Sequence, residues 1–383
     1  MKRIFNTLSL LCLCLAYAPA VQADSRVMSI FHFDVNKGDA TLIVSATGRA
    51  VLIDAGDDGR GLNPIIEFMN RAKREGFIKS LDYTIATHYD SDHIGGMDEV
   101  LLSKWKPRLG ALDRGDQFLP PFDRNYIRRS CRGIHLSAAQ SLVSWGTAPE
   151  VSCKPGKRRA SCALVRYMLS AKKTRKRATL KPGAVVRLDR GVTMQVLVAN
   201  GVDLKGNTAK IHFPGRRPDC AANDLGVALL VKAGKFRYLA GGDLTGDARK
   251  KVAEVEGLIR DDVGKLDVYH INHHGAETSS DARFMRAIAP TVAIASNGKS
   301  FGHPRRTVVE KRILKANSKT VVYATNLNND NKAWSGDKKT IADLDFKGYD
   351  GMIEVAVYRR TFKVYMWRNG KRIDNGRSFR IRR

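Results

Sequence analysis

The chain has 383 residues, with 66 Lys and Arg against 38 Asp and Glu, and a formal net charge of +28. That length supports one large or two ordinary domains, and the charge implies attraction to a polyanion, with general solubility charge as the competing reading. DNA is the leading partner this implies; teichoic acid, lipopolysaccharide and anionic membrane surface compete with it. Charge supplies affinity and says nothing about the reaction.

Met1-Lys2-Arg3, the apolar run Leu8 to Ala18 and the small-x-small Val21-Gln22-Ala23 form the three regions of a secretory leader. Residues 1–23 are therefore expected to be removed, leaving 24–383 as the mature domain in a periplasmic or secreted location. A retained N-terminal anchor is the competing reading. No later run is long and apolar enough to span a membrane. Cys131, Cys153, Cys162 and Cys220 lie beyond the leader. An even number in an oxidising compartment suggests one or two disulfides, with pairing left open. The absence of CxxC spacing argues against a structural zinc site.

Val27 to Phe33 reads as a strand, followed by a tight turn at Asp34-Val35-Asn36-Lys37-Gly38-Asp39-Ala40. Thr41–Val44 and Ala50–Ile53 flank Thr47-Gly48 as a hairpin. Ile65, Ile66, Phe68, Met69 and Ala72 recur at helical spacing within 62–74. A short buried strand over 81–86 then runs into Thr87-His88-Tyr89-Asp90-Ser91-Asp92-His93. Two His and two Asp so close together cannot all enter an apolar core unpaired. A divalent cation would both compensate and orient them.

From about 115 to 182 the chain turns basic and cysteine-rich, with clusters at Arg128-Arg129, Lys157-Arg158-Arg159 and Lys172-Lys173-Thr174-Arg175-Lys176-Arg177. This reads as an insert, either a surface that grips polyanions or a solvated loop. Regular pattern returns with strands at 192–199, 227–231 and 236–240. A helix is predicted over Asp247–Ile259 and a strand over Leu266–Ile271. Alternating helix and strand follow through 324, with Pro304 opening a helix over Arg305–Ala316. The stretch from about 346 to 383 reads as a β-rich tail. Two runs of strands, each followed by helix–strand alternation, suggest two β-layers with helices outside them.

Residues 87–93 resemble the HxHxDH signature of the metallo-β-lactamase superfamily, with Asp90 in place of the middle His. That replacement is similar to the ComEC-type branch, the hydrolase domain of competence DNA-uptake proteins. Phe33–Ala40 resembles its DVGQGDA turn, and Leu52-Ile53-Asp54-Ala55-Gly56 its LIDAG. Gly242-Asp243, His273-His274-Gly275 and Gly302-His303-Pro304 resemble its GD, HHG and GHP. The resemblance implies an α/β (α+β) αββα sandwich holding two divalent metal ions, Zn or Mn. His88 and Asp90 would hold the first metal, Asp92 and His93 the second. Asp243 would bridge them, and His273 would complete the shell. Asp92 would also serve catalysis, and His274 or His303 would donate a proton or hold a phosphate oxygen. Asp39 and Asp54 would orient the ligands, whereas His32, His135, His212 and His270 stand outside the chemistry. The usual superfamily His before Asp243 has no counterpart near Asn223. The function implied is a metal-dependent phosphodiesterase or nuclease cleaving DNA through a metal-activated hydroxide. The alternatives on the same fold are a small-phosphodiester or phosphorylcholine-type esterase and a lactone or β-lactam hydrolase. A non-enzymatic polyanion binder would be expected to have lost ligands.

Overall fold

The structure is a computed structural model, describing residues 25–57, 62–117, 119, 122–132, 134, 160–174, 176–209, 223–250, 252–299, 301–328, 330–345 and 350–382. The leader, Cys153, Cys220, His135 and His212 lie outside the described residues.

The first strand, β1 (Met28–Phe33), is buried at every position. An alternating strand would show one wet face, so β1 must be covered on both sides. Its hairpin partners β2 (Thr41–Ser45) and β3 (Arg49–Ile53) turn at Gly48, whose φ of 82° suits a residue without a Cβ. Helix α1 (Leu62–Arg74) carries the chain across to β4 (Ser80–Ile85), which is parallel to β3. The inward positions Ile65, Phe68, Met69 and Ala72 are the apolar stripe expected of that helix. After β4 come two short helices, α2 (Ser91–Ile94) and α3 (Met97–Leu102), then β5 (Gly110–Asp113).

Helix α4 (Arg124–Ser130) and helix α5 (Cys162–Lys173) come from the expected insert, as does β6 (Arg177–Thr179), which pairs with β5. The insert is therefore not wholly peripheral. Ala163, Leu164, Val165, Tyr167 and Met168 of α5 are buried in the same core cluster as Ile94 and Met97. The structure joins Cys131 to Cys162, tying the end of α4 to the start of α5.

The second sheet contains β7 (Val185–Asp189), β8 (Val192–Ala199), β9 (Val202–Asp203), β10 (Ala228–Ala233), β11 (Phe236–Ala240), β12 (Val268–His270), β13 (Val292–Ala295), β14 (Val321–Asn326) and β15 (Ile341–Asp343). Its order is β15-β14-β13-β12-β11-β10-β8-β7, with β9 on β8. Helices α6 (Val255–Val263) and α7 (Ala282–Ile288) cover its outer face, with a helical run through Arg306–Val308, Val309–Ile313 and Leu314–Ala316. The middle segment of that run is a π turn.

One expectation needs correction here, and another gains its place in the fold. The helix predicted over Asp247–Ile259 begins only at Val255, after a single turn at Ala248–Lys250. The Asp247 carboxylate accepts from the Arg249 and Arg312 side chains, and the Thr245 hydroxyl donates to the Ala253 carbonyl. These bonds fold the first segment into a loop. The stretch expected as a β-rich tail is β-rich, and it builds one end of the first sheet. Strand β16 (Met352–Val357) pairs with β1, β17 (Thr361–Arg368) with β16, and β18 (Lys371–Arg372) and β19 (Arg377–Arg380) with β17. The first sheet thus runs β18-β17-β16-β1-β2-β3-β4-β5-β6. Ile353, Val355 and Val357 are fully buried between the sheets.

Three core clusters separate four layers: helices on the first sheet, sheet on sheet, and helices on the second sheet. This is the expected αββα sandwich. Among the described residues, no helix is long and apolar enough to cross a membrane.

Candidate metal centre

The site lies where β4 and β12 end, at one edge between the sheets. The N-terminal ligands sit on a backbone that organises itself. Asp90 precedes α2, and the His93 and Ile94 amides bond back to the Asp90 carbonyl. This turn places Asp92 and His93 side by side while Ile94 anchors in the core. The Asp34–Ala40 turn closes over it. Gly38 has φ +103°, and any side chain there would run into the Asp92 carbonyl. The Asp39 amide donates to that carbonyl at 3.1 Å, and the Ala55 amide donates to the His93 carbonyl at 2.7 Å.

The second ligand loop is Asn272–Gly275. Both His273 (φ 49°) and His274 (φ 53°) adopt the left-handed region, which costs a non-glycine residue about 1–2 kcal/mol. Tertiary bonds hold them there. Buried Glu256 accepts from the Asn272 side-chain amide (2.8 Å) and from the Ser280 (2.7 Å) and Asp281 (2.7 Å) backbone amides. The His273 amide donates to the Gly242 carbonyl at 3.0 Å.

Asp243, nearly buried on the loop after β11, is the centre of the constellation. One carboxylate oxygen lies 3.2 Å from His93 Nε2 and 3.4 Å from His274 Nε2. The other lies 3.8 Å from His88 Nε2 and 3.6 Å from His273 Nε2. Asp90 approaches His88 Nε2 at 3.8 Å, and Asp92 approaches His274 Nε2 at 3.7 Å. All six expected metal ligands therefore converge, and His274 joins them. The sequence pattern suggests His274 as an alternative proton donor, whereas the structure places its ring nitrogen within 4.8 Å of donor atoms from Asp92 and His93. His273 faces the His88 and Asp90 side, and the Asn223 side-chain nitrogen lies 3.3 Å from its Nε2. The side where the sequence shows no superfamily His is thus approached by His273.

Each histidine is oriented from behind. Asp54 accepts from His93 Nδ1 at 2.8 Å and from the Thr87 amide at 2.8 Å and hydroxyl at 2.6 Å. The Thr87 oxygen in turn lies 3.1 Å from His88 Nδ1. His274 Nδ1 donates to the Ser296 carbonyl at 2.9 Å, and His273 Nδ1 pairs with Thr278 Oγ1 at 2.7 Å. Every Nδ1 is engaged outward, and every Nε2 points inward, the arrangement that fixes the ligating tautomer. Asp39 lies 3.1 Å from His270 Nε2, whose other contact is Ser296 at 2.8 Å. Sequence reasoning missed Glu256, Thr278 and Asn223 as supports. For Glu256 the only signal was a carboxylate beside the apolar stripe Val255, Ile259 and Val263.

These residues fit a metal. His88 Nε2, His93 Nε2, His274 Nε2 and one Asp243 oxygen are buried without a hydrogen-bond partner. Four such atoms aimed at one another would be costly unless an electrophile shared them. The electrostatics agree. Burial, with His93 close by, lowers His88 to about 4, so its lone pair is free at neutral pH. Burial also depresses His93, but Asp243 and Asp54 outweigh it and raise its pKa well above the ordinary value. Burial opposes the charge on Asp243, yet His274, His93 and His273 hold its carboxyl well below the usual range. The carboxylates demand positive charge, which protons and a cation would compete to supply. His303 stands on the wall, held at about 3 by burial and by His274 and His273. At neutral pH it is an imidazole with an N–H to offer. The centre opens into a cavity of about 160 Å³ lined by Asp90, Asp92, Asp243, His274 and His303, with Lys37 beside them.

A four-layer αββα sandwich with this His–Asp cluster at its open edge defines a metallo-hydrolase scaffold. Residues 34–130 match the Metallo-beta-lactamase superfamily, and the chain carries a domain of that superfamily. It is similar to Recombination protein 2 of Haemophilus influenzae, 25% identical over 305 residues, covering 78% of this chain and 28% of the relative. It is also similar to ComE operon protein 3 of Bacillus subtilis, 30% identical over 310 residues, covering 76% of this chain and 31% of the relative. Both are ComEC-type homologues, and the chain spans less than a third of the length of either. A solved metallo-beta-lactamase fold protein from Bacillus subtilis aligns with a TM-score of 0.40 at 11% identity, covering 78% of this chain and 96% of that one.

Proposed function

We propose that this chain is an exported phosphodiesterase that hydrolyses DNA in a metal-dependent reaction. The observation that carries the reading is the ring of inward-facing Nε2 atoms and carboxylates around Asp243. Asp92, His93 and His274 would hold one divalent cation, and His88, Asp90 and His273 a second, with Asp243 facing both. Zn²⁺ and Mn²⁺ both suit this donor set, and three carboxylates beside four imidazoles make it harder than an all-His site. Bound cations there would supply Lewis-acid stabilisation of phosphoryl charge and lower the pKa of a water.

The chain's own side chains do the rest. Asp54, Thr87, Thr278 and the Ser296 carbonyl fix the imidazole tautomers before substrate arrives. His303, on the cavity wall, would hold a phosphoryl oxygen through its N–H. Lys37, paired with Asp57 at 2.9 Å, places positive charge at the mouth. The net charge of +28 favours a phosphate backbone as substrate, bound without sequence preference and weakened by salt. The ComEC-type relatives and the leader pattern support the DNA and export parts of the reading.

The test is cleavage of plasmid and linear DNA by the mature protein with added Mn²⁺, Mg²⁺ or Zn²⁺, beside Asp92→Ala. Metal-dependent cutting lost in Asp92→Ala is the expected result, with nicked circles marking an endonuclease. Tight DNA binding without cutting under any metal would replace the reading with a polyanion binder. Neither binding nor cutting would point to small phosphodiesters.

A further inference from the structure

We propose that Phe301 forms a stacking subsite for a nucleobase next to the scissile phosphate, an inference that rests on the nucleic-acid reading above. Phe301 is 65% exposed, more than Leu102, Val185 or Ile373, the other exposed large hydrophobic side chains among the described residues. A lone exposed apolar side chain needs no explanation. Two further facts set this one apart. Its backbone has φ +68°, a region where a bulky L-residue costs about 1–3 kcal/mol. It also lines the cavity that contains Asp92, Asp243 and His274, which the other three do not.

The ring's orientation matches that place. Phe301 lies 6.2 Å from His303, centroid to centroid, with 28° between the planes. His303 lies 6.4 Å from His274 with 16° between the planes. The rings therefore step outward from buried His274 at the metal centre, through His303, to exposed Phe301 at the mouth. The loop that carries Phe301 and His303 is seated against the Asp34–Ala40 turn, since a side chain at Gly298 would strike the Asn36 carbonyl. A phosphate held at the inner end of this stair leaves its nucleoside at the outer end. An aromatic face there accepts any base, because every base has a π-face. Such a subsite gives affinity for single-stranded or frayed DNA without sequence preference. It discriminates against phosphodiesters that carry no base.

The test compares the wild type with Phe301→Ala and Phe301→Trp on two strands: a single-stranded oligo-dT, and a strand of equal length whose units all lack bases. Phe301→Ala should lower kcat/KM on oligo-dT about tenfold, as expected for loss of one stacking partner. Phe301→Trp should keep it, and neither should change turnover of the baseless strand. Equal losses on both strands, or no loss on either, would overturn the subsite. Binding to both strands is measured in parallel by anisotropy in an Asp92→Asn background, which separates this inference from the hydrolase reading. If the wild type cuts neither strand but Phe301→Ala weakens only oligo-dT binding, the subsite stands and hydrolysis falls. If all variants bind both strands alike, the subsite falls too.

Discussion

The two ligand loops reach the same centre by different means. His88 to His93 leaves β4 and enters α2, with its last residues in ordinary helical backbone. His273 and His274 occupy left-handed backbone on a four-residue loop. The first loop draws its shape mainly from bonds within the motif and the Asp54 carboxylate. The second draws it from Glu256, 16 residues upstream of Asn272, and from bonds to Ser280 and Asp281. Each loop is thus clamped by one buried carboxylate from elsewhere in the chain, but the clamp on the second also has to hold two residues in left-handed backbone.

The comparison breaks first at Asp243, which both loops share. Asp243→Asn should lower divalent-metal affinity by more than about 100-fold, beyond the loss from an orienting partner. Calorimetric titration of chelator-stripped protein measures it; two ions retained per chain with unchanged affinity would refute the shared role. The clamp comes next. Glu256→Ala leaves three buried donors unpaired and should cost about 3 kcal/mol in urea unfolding. Hydrogen exchange should then rise across 272–281 and stay unchanged across 87–94. Equal loosening of both loops would show that the clamp is not specific to the second.

Asp54→Asn probes the first loop in the same way. It should reduce metal affinity by about tenfold to 100-fold by loosening His93, with little change in unfolding midpoint. A large stability loss with intact affinity would mean that Asp54 is structural. The smallest effect is a pH dependence. Burial, opposed by the Asp281 and Ser280 amides and the Asn272 side chain, raises Glu256 from 4.5 to about 7. Its folded-state pKa lies above the unfolded value, so its favourable contribution is complete below about 4.5 and fades as pH rises through 7. Between pH 6 and 7 the wild type should lose about 1 kcal/mol from this group, a slope that Glu256→Gln should remove. Parallel pH–stability curves for the two proteins would count against the raised pKa.

Much of the architecture was legible because it follows from local pattern. The apolar runs at 28–33, 41–45 and 49–53 had few alternatives to buried strands, and the stripe on α1 fixed its inner face. His88, Asp90, Asp92 and His93 announced themselves by proximity. The 247–259 segment misled because side-chain bonds from Asp247 and Thr245 compete with helix, and propensity does not register them. The C-terminal stretch was legible in part. Its β pattern was plain, but pattern does not name a partner, and only the register of Met28 to Phe33 against Val357 to Met352 puts it inside the sheet.

The division between the two His of the second loop shows the same limit. Adjacent residues in sequence carry no sign of which ring reaches which side of Asp243. Left-handed backbone at both positions turns His274 towards Asp92 and His93 and leaves His273 facing His88 and Asp90. By itself the sequence determined the layers, the ordered motifs and the chemical types at the centre, because periodicity and proximity are local properties. The tertiary structure alone decided which strand completes the first sheet, which carboxylate clamps the second loop and which ring stands at the mouth. Those depend on contacts between residues far apart in the chain, where burial and hydrogen-bond satisfaction select one arrangement.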